Sequence, residues 1–115
     1  MIEAVEYTAT GYVEVSAEEA AALIRTVDPL ILDVRTPGEY AGGHLANAKL
    51  IPIQVLEAEL GQLADYKDKP IFVYCRSGNR STVAARLLLD KGFHNVTNMR
   101  QGMNEWQKKN LPIVK

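Results

Sequence analysis

At 115 residues, with 47% hydrophobic and 23% charged side chains, the chain has the size and make-up of one globular domain with its own core. A net charge of −1 excludes the strongly basic face that nonspecific nucleic-acid binding demands, and no apolar run approaches the ~20 residues of a membrane-spanning helix. One cysteine and two histidines leave no internal disulfide, no structural zinc site and no expected cofactor.

The charge is unevenly spread. Residues 1–60 hold ten acids and three bases, while residues 61–115 hold four acids and ten bases. Two halves that interleave and cancel would explain this; so would an anion site built by the second half. Met1-Ile2-Glu3-Ala4-Val5-Glu6 carries acids where a signal peptide carries bases. A cytoplasmic chain is expected, or a periplasmic one if a leader was removed.

In chain order, Tyr12-Val13-Glu14-Val15 alternates like a half-buried strand. Ser16 and Glu19 then form a capping box for a helix whose apolar face is Ala20, Leu23, Ile24 and Val27. Asp28-Pro29 stops it. Leu30–Val34 is a short apolar run, the pattern of a strand covered on both faces. Thr36-Pro37-Gly38-Glu39-Tyr40 predicts a capped short helix with Pro37 at its first position, broken by Gly42-Gly43-His44. A short strand follows near Ala48–Ile51. Leu56, Leu60, Leu63 and Ala64 predict another helix, weakened at Gly61 by about 1 kcal/mol. Ile71–Tyr74 is a second buried strand. A helix is expected from Ser81 to the stop at Gly92, then a strand at Asn95–Met99 and a helix at Gln101–Lys109. Strands alternating with helices predict an α/β fold of three layers, a mainly parallel sheet of about five strands with helices on both faces.

Ligands of open parallel sheets bind beyond the carboxyl ends of the strands. Asp33 and Arg35 leave one buried strand there, and Cys75 leaves the other. Between Tyr74 and the helix come Cys75-Arg76-Ser77-Gly78-Asn79-Arg80-Ser81. A tight loop feeding a helix N-terminus directs backbone N–H groups at its centre and binds anions. A free cysteine ending a strand is often only a small hydrophobe, but this loop favours a reactive one. A thiol of pKa ~8.5 is roughly 3% ionised at pH 7, and lowering it to ~6.5 takes about 2.7 kcal/mol of preferential thiolate stabilisation. The loop amides, the helix end and Arg76 or Arg80 are the expected sources.

Several motifs in this order resemble the rhodanese-like (sulfurtransferase) family, over about Val13 to Ile113. They are Leu32–Tyr40, Gly43–Ala48, Ile51-Pro52, Tyr74–Ser81, Gly102-Met103 and Trp106. Residues 1–12 have no evident counterpart, giving an N-terminal extension of unknown role and a rhodanese-like domain at 13–115. The resemblance implies that Cys75 takes a sulfane sulfur as a persulfide and passes it on. It also implies that the amides from Arg76 to Ser81 cradle the persulfide and the donor's anionic group. Thiosulfate is the family's typical donor, and Arg76 and Arg80 would suit its sulfonate. Asp33 is expected to brace the loop by pairing with one of its arginines, with Arg35 also supporting, and His44 to be structural. With no second cysteine, the sulfur acceptor must come from outside: cyanide, a thiol or a protein. Asn47 stands where the family often has glycine, and Gln101 where a glycine commonly precedes Gly102.

Two alternatives use the same cysteine. Tyrosine phosphatases carry C-x5-R, but here the residue after the five that follow Cys75 is Ser81, and Arg80 closes a ring one residue too short for phosphate. A persulfide carrier or interaction module with little turnover on free thiosulfate is the stronger rival.

Overall fold

The computed structural model describes residues 6–7 and 11–115. The elements in order are β1 (Glu6–Tyr7), β2 (Val13–Val15), α1 (Ala17–Val27), β3 (Leu30–Asp33), α2 (Pro37–Ala41), β4 (Lys49–Leu50) and α3 (Ile53–Leu56). After a 3-10 helix at Leu60–Tyr66 come β5 (Ile71–Tyr74), α4 (Asn79–Asp90), β6 (Val96–Met99) and α5 (Gly102–Lys108).

The six strands form one sheet in the order β1-β2-β6-β5-β3-β4. Only β1 is antiparallel; β2, β6, β5, β3 and β4 form the expected five-stranded parallel sheet. β1 is the added strand, and Tyr12, just before β2, is buried in the core. Side chains alternate between two cores, as strand geometry requires. Phe72 and Tyr74 join Ile31, Met99, Ala17, Ala20, Met103 and Trp106 under α1 and α5. Val73 and Cys75 join Leu32, Val34, Leu56, Leu63, Ala84 and Leu88 under α3 and α4. Each fully buried large apolar side chain contributes about 1.5–3 kcal/mol. Among the described residues no helix is long and apolar enough to cross a membrane.

The capping box of Ser16 and Glu19 forms with both its hydrogen bonds, and α1 ends at Asp28 in the left-handed region. Asn47 is likewise left-handed, at φ 67°, a conformation asparagine tolerates better than other side-chain-bearing residues. Two expectations need correction. The stretch from Leu56 to Ala64 is not one helix but α3 followed by a 3-10 helix, with Leu56 and Leu63 buried. Leu60 and Leu63 are three apart, the spacing that a 3-10 helix aligns. Helix α4 starts at Asn79, two residues before the expected Ser81, because Gly78 makes the turn and its carbonyl accepts from Thr82 N–H at 3.1 Å. Arg80 and Ser81 therefore sit in the first helical turn, not in the loop.

Candidate active site

β3 and β5 run parallel with Asp33 opposite Tyr74, so both strands end on one rim of the sheet. Cys75 follows β5 there, 1% exposed. The chain then reverses at Gly78, whose φ is +105° and where a Cβ would lie 2.1 Å from Arg100 O. Only glycine fits, and the reversal brings backbone donors to the sulfur. Gly78 N–H donates to Cys75 Sγ at 3.1 Å and Ser81 N–H at 3.3 Å. The Ser81 amide belongs to the first turn of α4, where N–H groups have no partner within the helix. Ser81 Oγ lies 3.4 Å from Sγ. The thiol can donate to that hydroxyl, and as a thiolate it can accept from it.

These contacts decide the ionisation. Burial pushes the Cys75 thiol up, but the Ser81 hydroxyl and the amides of Ser81, Gly78 and Ser77 outweigh it, holding the group below its ordinary 9.0. Sequence reasoning gave part of this work to Arg76 or Arg80; neutral donors lead it, and the Arg80 charge still interacts with the Cys75 thiolate. Arg80 is itself held by Glu39 in a two-point ion pair, Nη1 to Oε1 at 2.8 Å and Nη2 to Oε2 at 3.0 Å. Glu39 Oε1 also accepts from Thr36 N–H at 3.0 Å and its hydroxyl at 3.1 Å. The Arg80 hydrogen bond leads in drawing the Glu39 carboxyl from 4.5 down to about 2. Arg76, Ser77 and Asn79 are exposed, and Arg76 has no carboxylate partner among the described residues.

Asp33 does not pair with a loop arginine, contrary to expectation. Its fully buried carboxylate accepts from Arg35 Nη2 at 2.7 Å, Arg35 Nε at 3.0 Å and the Arg35 N–H at 2.9 Å. A single intervening residue brings this guanidinium to the carboxylate at far less entropic cost than a loop 43 positions away in sequence. Tyr74 O–H donates to Asp33 at 2.7 Å and accepts from Leu45 N–H at 3.1 Å, while Arg35 Nη2 donates to Gly43 O at 2.8 Å. Burial, then the Asp33 charge, pushes the Tyr74 phenol far above its ordinary 10.0, so it stays a donor. The network braces the ends of β3 and β5 and the turn at 43–45. His44 lies in that turn, its Nδ1 2.8 Å from Tyr40 O and its ring stacked on Tyr40.

A further support escaped sequence reasoning. Met103 and Asn104 N–H donate to Cys75 O and Arg76 O, each at 2.9 Å, so the first turn of α5 holds the loop from behind. Gly102 makes room for this: its φ is +61°, and a Cβ would lie 2.5 Å from Cys75 O. Gly102-Met103 was visible only as part of the family pattern, with no local signal of what it touches.

Comparison with known proteins agrees with this geometry. The rhodanese-like domain model matches residues 16–109. A sulfurtransferase of Allochromatium vinosum is 37% identical over 80% of this chain and 84% of its own length. The thiosulfate sulfurtransferase GlpE of Coxiella burnetii is 35% identical over 84% of this chain and 88% of its own. Among solved structures, a rhodanese-related protein of Thermoplasma volcanium superposes with a TM-score of 0.79 at 32% identity, covering 88% of this chain and 96% of that one. A parallel sheet that delivers one cysteine into a ring of amides, and a family match across most of the length, lead to one conclusion: the chain belongs to the rhodanese-like family.

Proposed function

We propose that the chain is a sulfurtransferase that carries sulfane sulfur as a persulfide on Cys75, taking it from thiosulfate or a similar anionic donor. The observation that carries this reading is the convergence of the Gly78 amide, the Ser81 amide and the Ser81 hydroxyl on a sulfur held toward its thiolate form. The names of the two curated relatives point the same way.

In the first half-reaction the Cys75 thiolate attacks the outer sulfur of thiosulfate. A Cys75–S bond forms, the donor's S–S bond breaks, and its electron pair leaves on sulfite. The amides that stabilised the thiolate then face the persulfide's charge, so little reorganisation is needed. In the second half an acceptor thiolate or cyanide attacks the outer sulfur, and the electron pair returns to Cys75 as thiolate. The covalent intermediate makes the cycle ping-pong. Cys75 is the only cysteine, so no second thiol of this chain can resolve the persulfide and the acceptor comes from outside. A cytoplasmic setting would supply small thiols for that role.

The Arg80–Glu39 pair favours a second reading. With Arg80 already matched, Arg76 is the loop arginine left without a carboxylate partner among the described residues, as in a persulfide carrier that turns over slowly on thiosulfate. The test is to incubate the protein with excess thiosulfate, desalt, and measure the intact mass. A species heavier by one sulfur atom, absent in Cys75→Ser, is expected; its absence in the wild type, or its persistence in the variant, sinks the proposal. Steady-state transfer to cyanide then separates the two readings, since full loading with negligible turnover marks the carrier.

A further inference from the structure

Three donors approach the Gly78 carbonyl at the start of α4. Thr82 N–H reaches it at 3.1 Å, Thr82 Oγ1 at 2.7 Å and Ser81 Oγ at 3.3 Å. A carbonyl oxygen has two lone pairs, so one donor is in excess. The Thr82 hydroxyl sits at the preferred distance for an O–H···O bond, whereas the Ser81 hydroxyl lies beyond the ordinary range of about 2.5–3.0 Å. Thr82 therefore fills the carbonyl with its amide and its hydroxyl, and the Ser81 hydroxyl is the donor displaced. That hydroxyl also lies 3.4 Å from Cys75 Sγ, which can accept it as a thiolate.

The direction of the Thr82 hydroxyl is set from the sheet. Asn98 lies on β6 opposite Glu14 of β2 and Val73 of β5, and Val73 belongs to the core under α4. Side chains in register across neighbouring strands share a face, so Asn98 points toward α4. Its Nδ2 donates to Glu14 Oε2 at 3.2 Å and lies 3.5 Å from Thr82 Oγ1. An ionised carboxylate only accepts, so Glu14 decides that the nitrogen end of the Asn98 amide faces this way. With an N–H directed at the Thr82 oxygen, the Thr82 hydrogen is turned to the other side, onto Gly78 O. Asn98 is fully buried and its Oδ1 has no partner among the described residues, an arrangement that costs stability. What this side chain contributes is its nitrogen.

We propose that Thr82 is a positioning residue for sulfur transfer: its hydroxyl occupies the Gly78 carbonyl and so releases the Ser81 hydroxyl to donate to Cys75 Sγ. Thr82 acts through Ser81, and Glu14 and Asn98 act through Thr82. The bearing on sulfur transfer rests on the sulfurtransferase reading, but the ionisation of Cys75 can be followed without any sulfur donor. The charged groups around the sulfur are Arg76, Arg80 with its partner Glu39, and the Asp33–Arg35 pair at the end of β3. Glu105 of α5 is engaged by the Ala17 amide at 2.9 Å. Substitutions at Thr82 and Ser81 change none of these charges.

The experiment measures Cys75 alkylation by iodoacetamide against pH. Thr82→Val keeps the side chain's shape and removes its hydroxyl, leaving Gly78 O to draw the Ser81 hydroxyl away from the sulfur. Its pH midpoint is expected to rise by about half a unit, roughly a threefold loss of rate below the midpoint. Thr82→Ser restores the hydroxyl and is expected to return the midpoint to the wild-type value. In a Ser81→Ala background, Thr82→Val is expected to add no shift, because the hydroxyl it would redirect is gone. General damage to the loop would raise the midpoint in either background. An unmoved midpoint in Thr82→Val, no return in Thr82→Ser, or a further shift in the Ser81→Ala background overturns the proposal. Failure of the wild type to gain a sulfur from thiosulfate is a separate result and overturns the transfer reading alone.

Discussion

Ser81 Oγ lies 3.4 Å from Cys75 Sγ and 3.3 Å from Gly78 O, so the hydroxyl can turn toward the sulfur as the sulfur ionises. Removing it in Ser81→Ala leaves both amide donors in place. A hydrogen bond to a charged group is worth about 1.5–3 kcal/mol, and about 1.4 kcal/mol is one pKa unit. Because Ser81 helps hold the Cys75 pKa down, its loss raises that pKa and shrinks the thiolate fraction at any pH below it. The pH midpoint of Cys75 alkylation by iodoacetamide is expected to rise by about one unit, with the high-pH rate retained; an unmoved midpoint removes the hydroxyl from the thiolate's support. Cys75 and its donors were legible because they lie within seven consecutive residues, where loop length and a helix start dictate the geometry. Glu39 was read only as part of a short helix whose N-terminal end it stabilises. Its ion pair with Arg80, 41 positions away, leaves no trace in local spacing, and neither does the Tyr74 hydroxyl that Asp33 recruits.

Helix α5 shows how an element with no chemistry of its own can set the shape of the site. Its first turn donates two amides to the loop carbonyls, and this close approach requires the absence of a side chain at Gly102. In Gly102→Ala the new Cβ would fall 2.5 Å from Cys75 O and 2.7 Å from Arg76 O, at a φ of +61°. Left-handed backbone alone costs an alanine about 1–2 kcal/mol, and either the loop or α5 must also move. Gly102→Ala is therefore expected to lose about 2 kcal/mol or more in urea unfolding and to slow persulfide formation at saturating thiosulfate. Gly61→Ala is the control, since a Cβ there meets nothing within 4 Å, and it should change stability by less than about 1 kcal/mol. A Gly102→Ala as stable and as fast as the wild type would mean that α5 does not hold the loop. The helices opened by capping boxes, at Ser16 and Thr36, were readable because both partners sit three residues apart. The onset of α4 was not, because Gly78 bends the backbone without a side-chain signature, and its clash partner Arg100 is far away in sequence.

Across the whole molecule, the lopsided charge of the sequence finds its use in cross-half pairing. Strands β5 and β6 of the basic second half lie in the sheet's centre, with β2 and β3 of the acidic first half on either side. The ion pairs Arg80–Glu39, Lys91–Glu57 and Lys109–Glu18 all join a base of the second half to an acid of the first. The last two are exposed and contribute little. Arg80–Glu39 differs: it is two-pronged, and its side chains are only 30% and 24% exposed. The Glu39 carboxyl is lowered in the folded state from 4.5 to about 2. Its contribution to stability is therefore fully present above about pH 4.5 and lost as pH falls toward about 2. Glu39→Gln removes the charge while keeping a capping-box residue at that position. Allowing for solvent screening, the wild type should exceed this variant by about 1–2 kcal/mol near neutrality. Urea unfolding should show the gap closing as pH drops through that window, because protonation makes the two side chains electrically alike. A gap that stays constant with pH would place the difference in packing and deny the ion pair its role in joining α2 to α4.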